Sequence, residues 1–166
     1  STLDELKIRN NSSLKLVELN SIIGGGPAFD GLTCVDISQN MVKKQFSSNA
    51  NEWNILCEGL SIDGRCTNKS CSQYERIVTC KLGFGTFDII NMENIVCPKC
   101  DYPIKIEDFY FYKCRYNINA RILKEGKKNY EDFEKSSIAK GDEYETFSDS
   151  NEKAIYKKLI ITIEKL

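Results

Sequence analysis

Cys66 and Cys71 in CTNKSC, and Cys97 and Cys100 in CPKC, are the residues whose type and spacing can do chemistry. Thiolates are soft ligands, and two pairs set about 25 residues apart supply the four donors of a tetrahedral Cys₄ zinc site. Each pair delivers two sulfurs from one tight turn, and the chain between them is long enough to return as a β-hairpin. Pro98 fixes φ inside the second turn, and Lys99 places a cation beside the thiolates. Four thiolates leave no open coordination position, so the expected ion is a single Zn²⁺ that holds a fold together and catalyses nothing.

The chain has no histidine. That removes the commonest general base, the usual partner of a Ser or Cys nucleophile, and every zinc site that needs imidazole. A phosphate loop is also missing, because Gly24-Gly25-Gly26 runs into Pro27 with no Lys-Ser/Thr pair after it. The carboxylate pairs Glu131-Asp132 and Asp142-Glu143 read as solvated charges. The expectation is a protein that is not an enzyme.

The other four cysteines, Cys34, Cys57, Cys80 and Cys114, are isolated. Cys80 and Cys114 stand in apolar, strand-like runs, where cysteine acts as a small buried hydrophobe; Cys114 is also a candidate replacement ligand. Clustering as metal knuckles, with no export signal in view, points to a reducing compartment, cytoplasmic or nuclear. No apolar run approaches the length of a membrane span. Of the 166 residues 28% are charged, yet the formal net charge is −1, without the basic surplus typical of a nucleic-acid binder. Lys124 with Lys127-Lys128, and Lys157-Lys158, read as solvated faces.

The elements that must position the thiols read as mainly β (α+β), with the Cys₄ module resembling a zinc ribbon built of β-hairpins. Strands are expected over Leu32–Ile37, Glu75–Leu82, Thr86–Ile90, Ile104–Tyr116 and Lys158–Glu164, with turns at Asp63-Gly64 and at Gly83 and Gly85. Asn40–Phe46 is compatible with a short helix. Lys124–Lys153 is charged and reads as surface loops or hairpin arms. Trp53 is expected to anchor the core of the domain that follows the polar run at 47–51. In Phe109-Tyr110-Phe111-Tyr112 aromatics occupy both faces of one strand, which points to cover on both sides. The organisation expected is residues 1–26, a linker with a short strand and helix at 27–52, and a zinc-binding β-rich domain at 53–166.

Thr2-Leu3, Ile8 and Ser12–Val17, followed by Gly24, Gly25 and Gly26, resemble the last strand and diglycine tail of a ubiquitin-like β-grasp domain. The remainder of such a domain would lie upstream of Ser1. The order of motifs carries the resemblance further. Gly59-Leu60, Gly64, Cys66, Asn68 and Cys71, then Gly83, Phe87 and Asp88, then Cys97 to Cys100 and finally Cys114 follow one pattern. It resembles a eukaryotic family in which a ubiquitin-like domain precedes a Cys₄ zinc-binding β module. Where members carry a further cysteine, this chain has Phe109. The resemblance implies one structural zinc on Cys66, Cys71, Cys97 and Cys100, and a protein partner in the ubiquitin system. It also makes Gly24–Gly26 a hinge and a candidate processing site. The expected function is therefore a non-catalytic zinc-binding interaction module. The alternatives are a zinc ribbon that binds RNA through the Phe109–Tyr116 strand, and a RING-like ubiquitin ligase, which would need eight metal ligands.

Overall fold

The structure is a computed structural model that describes residues 31–39, 41–46, 52–147 and 152–166. The ubiquitin-like stretch 1–26, with Gly24, Gly25 and Gly26, lies outside the described residues. The chain divides into Ser1–Leu32 and Thr33–Leu166, and the second unit holds all of the strands except their first residue, Leu32.

Among the described residues, ten strands form two antiparallel sheets. The first runs β1 (Leu32–Val35), β10 (Lys153–Lys165), β7 (Cys114–Lys124), β8 (Glu131–Ala139), with β5 (Gly85–Asp88) also paired to β10. The second runs β2 (Val42–Gln45), β9 (Glu143–Thr146), β6 (Ile104–Tyr112), β3 (Gly59–Cys66), β4 (Ile77–Gly83). The chain passes between sheets through short corners at Phe84, at Lys113 and between β8 and β9.

The core lies where the two sheets face one another. In β7 the alternation is regular: Cys114, Tyr116, Ile118, Ala120 and Ile122 point inward and are fully or almost fully buried. Opposite them stand Leu60, Ile62, Phe109 and Phe111 of β3 and β6. Phe111 stacks on Tyr116 with centroids 4.2 Å apart, and the Tyr116 hydroxyl donates to Glu145 Oε1 of β9 at 2.9 Å. A buried carboxylate facing a buried phenol is satisfied across the sheets by this contact.

Several expectations change here. The run 104–116 is two strands, not one: Lys113 takes a positive φ of 49° and turns the chain from one sheet into the other. Phe109 and Phe111 enter the core, while Tyr110 and Tyr112 lie half-buried on the outer face of β6. The helix-compatible stretch 40–46 contains β2, an edge strand on β9. Within 124–153, β8 is the return arm of a hairpin with β7, as one of the two expected forms, and β9 joins the other sheet. Asp63-Gly64 is not a turn but the middle of β3, where its register with β6 slips by one residue. Gly83 and Gly85 do turn the chain, with φ of 77° and 136°. Trp53 lies in a 3₁₀ turn, Glu52–Asn54, in which no residue is buried, and so does not anchor the core.

Among the described residues, no helix is long and apolar enough to cross a membrane.

Candidate metal centre

The four thiols meet at one end of the second sheet. Cys66 is the last residue of β3 and pairs in register with Ile104, the first residue of β6. Cys97 and Cys100 sit immediately before β6, so two adjacent strands carry both knuckles to the same edge. The Sγ atoms of Cys66, Cys71, Cys97 and Cys100 all lie within 4.8 Å of one another, and they could hold a metal ion. Cys66 Sγ and Cys100 Sγ are 3.6 Å apart. A disulfide would bring two sulfurs to about 2.05 Å, whereas a tetrahedron with metal–sulfur bonds of about 2.3 Å has edges of about 3.8 Å. The spacing fits the second. All eight cysteines are free.

Local hydrogen bonding shapes each knuckle. In the first, Cys71 N–H donates to Asn68 O at 2.9 Å, Ser70 N–H to Asn68 Oδ1 at 2.9 Å, and Tyr74 N–H to Cys71 O at 3.1 Å. Asn68 thus builds the turn with both its carbonyl and its side chain. Gln73 N–H points at Cys71 Sγ from 3.4 Å. In the second, Asp101 N–H donates to Cys97 O at 2.9 Å and Cys97 N–H to Tyr102 O at 2.8 Å, with Asp101 at φ 62°.

Other contacts tie the knuckles together. Thr67 Oγ1 donates to Pro103 O at 2.7 Å, and Lys99 Nζ donates to Ser72 Oγ. Lys99 also lies over the Trp53 ring, 5.8 Å from its centroid. The lysine read from sequence as a cation beside thiolates therefore bridges both knuckles to the 3₁₀ turn. Arg65 closes the flank, with Nε 2.8 Å from Glu107 Oε2 and Nη1 2.8 Å from Glu75 O.

Cys66 and Cys97 are buried, while Cys71 and Cys100 are partly exposed. Burial, followed by the three neighbouring sulfurs, pushes the Cys66 thiol up to about 12. Four sulfurs so close together cannot all carry charge without a cation among them, and a metal supplies that cation. Cys114 is not part of this group. It opens β7 with no exposure, and burial holds its thiol up to about 12, so it stays a neutral core side chain. Cys34 and Cys80 are likewise buried, with thiols raised mainly by that burial.

Comparisons of this chain with protein-family models, with curated proteins and with solved structures find no match.

Proposed function

We propose that the chain is a zinc-stapled protein-interaction module serving the ubiquitin system, with the ion in a structural and not a catalytic role. One observation carries the metal half of this reading: four cysteine sulfurs converge within 4.8 Å at the junction of β3 and β6. A soft, four-sulfur tetrahedral donor set selects zinc or iron, and a redox-inert zinc suits a site whose neighbours are turn-forming and ion-pairing groups. The paired knuckles ahead of and behind hairpin strands are what likens the module to a zinc ribbon. A RING would need a second group of four ligands; among the described residues one such group is present. Assignment to the ubiquitin system rests on the resemblance carried by the Gly59–Cys71 and Gly83–Cys100 motifs and by the Gly24–Gly26 tail.

The test is native mass spectrometry of protein purified from eukaryotic cells, before and after chelation. One zinc per chain is expected, and Cys66→Ser or Cys97→Ser should each abolish its retention. Iron would show itself by mass and by visible colour. A metal-free chain with paired thiols would overturn the reading.

A further inference from the structure

On the outer face of the second sheet, away from the core, a cavity of about 500 Å³ lies between β2, β9, β6 and the segment that follows the 3₁₀ turn. Its walls are Phe46, Tyr110 and Tyr144, with Ile55 beside them and Asp63 in the lining. The rings stand nearly upright to one another. Phe46 meets Tyr144 at 64° with centroids 5.1 Å apart, and Tyr110 meets Tyr144 at 80° and 5.4 Å. Tyr112 braces Phe46 from the side at 72° and 4.8 Å. Rings set at such angles form a box and not a stacked slab. Phe46 and Ile55 each keep 46% of their surface exposed, a large apolar exposure for two residues at the mouth of one cavity.

Asp63 gives this box its charge. Thr79 Oγ1 donates to its Oδ1 at 2.6 Å, and the Tyr110 hydroxyl also hydrogen-bonds it. Burial, with Glu107 nearby, holds its carboxyl above the usual range. A carboxylate taken partly out of water beside other acids is a group that gains when a cation arrives. Aromatic faces around a carboxylate attract cations through the ring quadrupole, most of all cations that are weakly hydrated.

We propose that this cavity binds a methylated lysine side chain of a partner protein. An unmodified ammonium brings three donors and a tight hydration shell, and the cavity offers mostly aromatic and aliphatic surface, with an acid already engaged by two hydroxyls. A trimethylammonium head has no donor to satisfy and fits that surface. The aliphatic stem of the lysine would run along Ile55, which favours a lysine side chain over a short free quaternary amine. This inference rests on the reading of the chain as a protein-interaction module. It does not rest on the metal, since no thiol lines the cavity.

The experiment is a titration of the intact, metal-loaded protein, followed by amide chemical shifts. The probes are a short acetylated peptide carrying trimethyllysine, the same peptide with unmodified lysine, the neutral isostere with carbon in place of the quaternary nitrogen, and choline. The trimethyllysine peptide should shift amides of β2, β6 and β9 and bind about tenfold more tightly than each of the other three. Tyr144→Ala should weaken it about tenfold, and Asp63→Asn should weaken it without changing the isostere. Phe46→Leu, at an exposed position that cannot unfold the core, supplies an independent check by the same measure. No binding of any probe, or equal binding by the isostere, lysine peptide or choline, would overturn the proposal. A protein that holds zinc but ignores the peptide sinks this inference and leaves the metal reading standing, whereas a protein that binds the peptide but holds no zinc does the reverse.

Discussion

At the scale of single residues, the buried acids are the most consequential departure from an apolar interior. Asp108, 7% exposed, accepts from the Phe109 N–H at 2.8 Å and the Phe147 N–H at 3.3 Å through one oxygen. Burial nevertheless dominates and pushes its carboxyl up to about 6. In the unfolded chain the same group titrates near 3.9. Between those values the unfolded chain has released the proton and the folded chain still holds it. Stability therefore falls as pH rises through this window, and the loss is complete above about pH 6. A rise of that size corresponds to about 3 kcal/mol as an upper figure. Asp108→Asn keeps an oxygen for both amides and cannot ionise. Relative to the native protein it should be more stable by up to about 3 kcal/mol at pH 7, with the gap closed by about pH 3, below both values. Urea denaturation of both proteins at the two pH values measures this, and a gap independent of pH would refute it.

Among the elements, β3 links the core to the edge that carries the thiols, and at Gly64 it lies hard against β6. A Cβ there would lie 2.4 Å from the Lys105 carbonyl oxygen of β6. That atom is backbone and cannot swing aside. Gly64→Ala should therefore spread β3 from β6 two residues before Cys66, costing about 1–3 kcal/mol and loosening the grip on the ion. A lowered denaturation midpoint together with faster loss of metal to a competing chelator is expected. A variant that matches the native protein in both would show that the strands part freely. The same stretch shows how far sequence reads structure. Asp63-Gly64 carries the residues of a turn, but its glycine serves a close backbone approach, which depends on a strand some forty positions away. Phe111 and Tyr116 read as one strand because the chemistry between them is continuous, and the positive φ at Lys113 leaves no mark in residue type. In β10 the alternation Ala154, Tyr156 changes phase to Leu159, Ile161, Ile163 because Lys157 is a bulge against β7. The regular half was legible and the half before the bulge was not. In β8 the inner face is Phe133, Lys135 and Ser137, too polar to produce an apolar alternation at an edge.

For the molecule as a whole, the clustering of the four thiols was legible because each knuckle is local, with its two cysteines no more than five residues apart. The aromatic box was not, since Phe46, Tyr110 and Tyr144 come from three stretches of chain that only the sheet order brings together. That contrast also governs how the molecule should respond to the loss of a metal bound at the four thiols. The backbone bonds of the knuckles, such as Cys71 N–H to Asn68 O and Asp101 N–H to Cys97 O, lie in turns with little apolar cover. The first sheet is different: β7 and β10 pair along nearly their full length, and Ile118, Ala120, Ile122, Leu159 and Ile161 have no exposure at all. A structural zinc contributes on the order of 10 kcal/mol to what it organises, comparable with the whole stability of an ordinary domain. If all of that supported the global fold, the metal-free chain would be unfolded. The knuckle turns around the buried Cys66 and Cys97 are mostly exposed, which argues instead that a bound ion stabilises mainly the 66–76 and 95–104 segments, which open as a unit. In hydrogen exchange after chelation, the amides of Cys71, Tyr74, Cys97 and Asp101 should lose protection first and nearly completely. Those of Ile118, Ala120 and Leu159 should stay protected, though less deeply than with metal bound. Simultaneous loss across β7, β10 and both knuckles would show instead that a single cooperative unit spans the sheets and the metal edge.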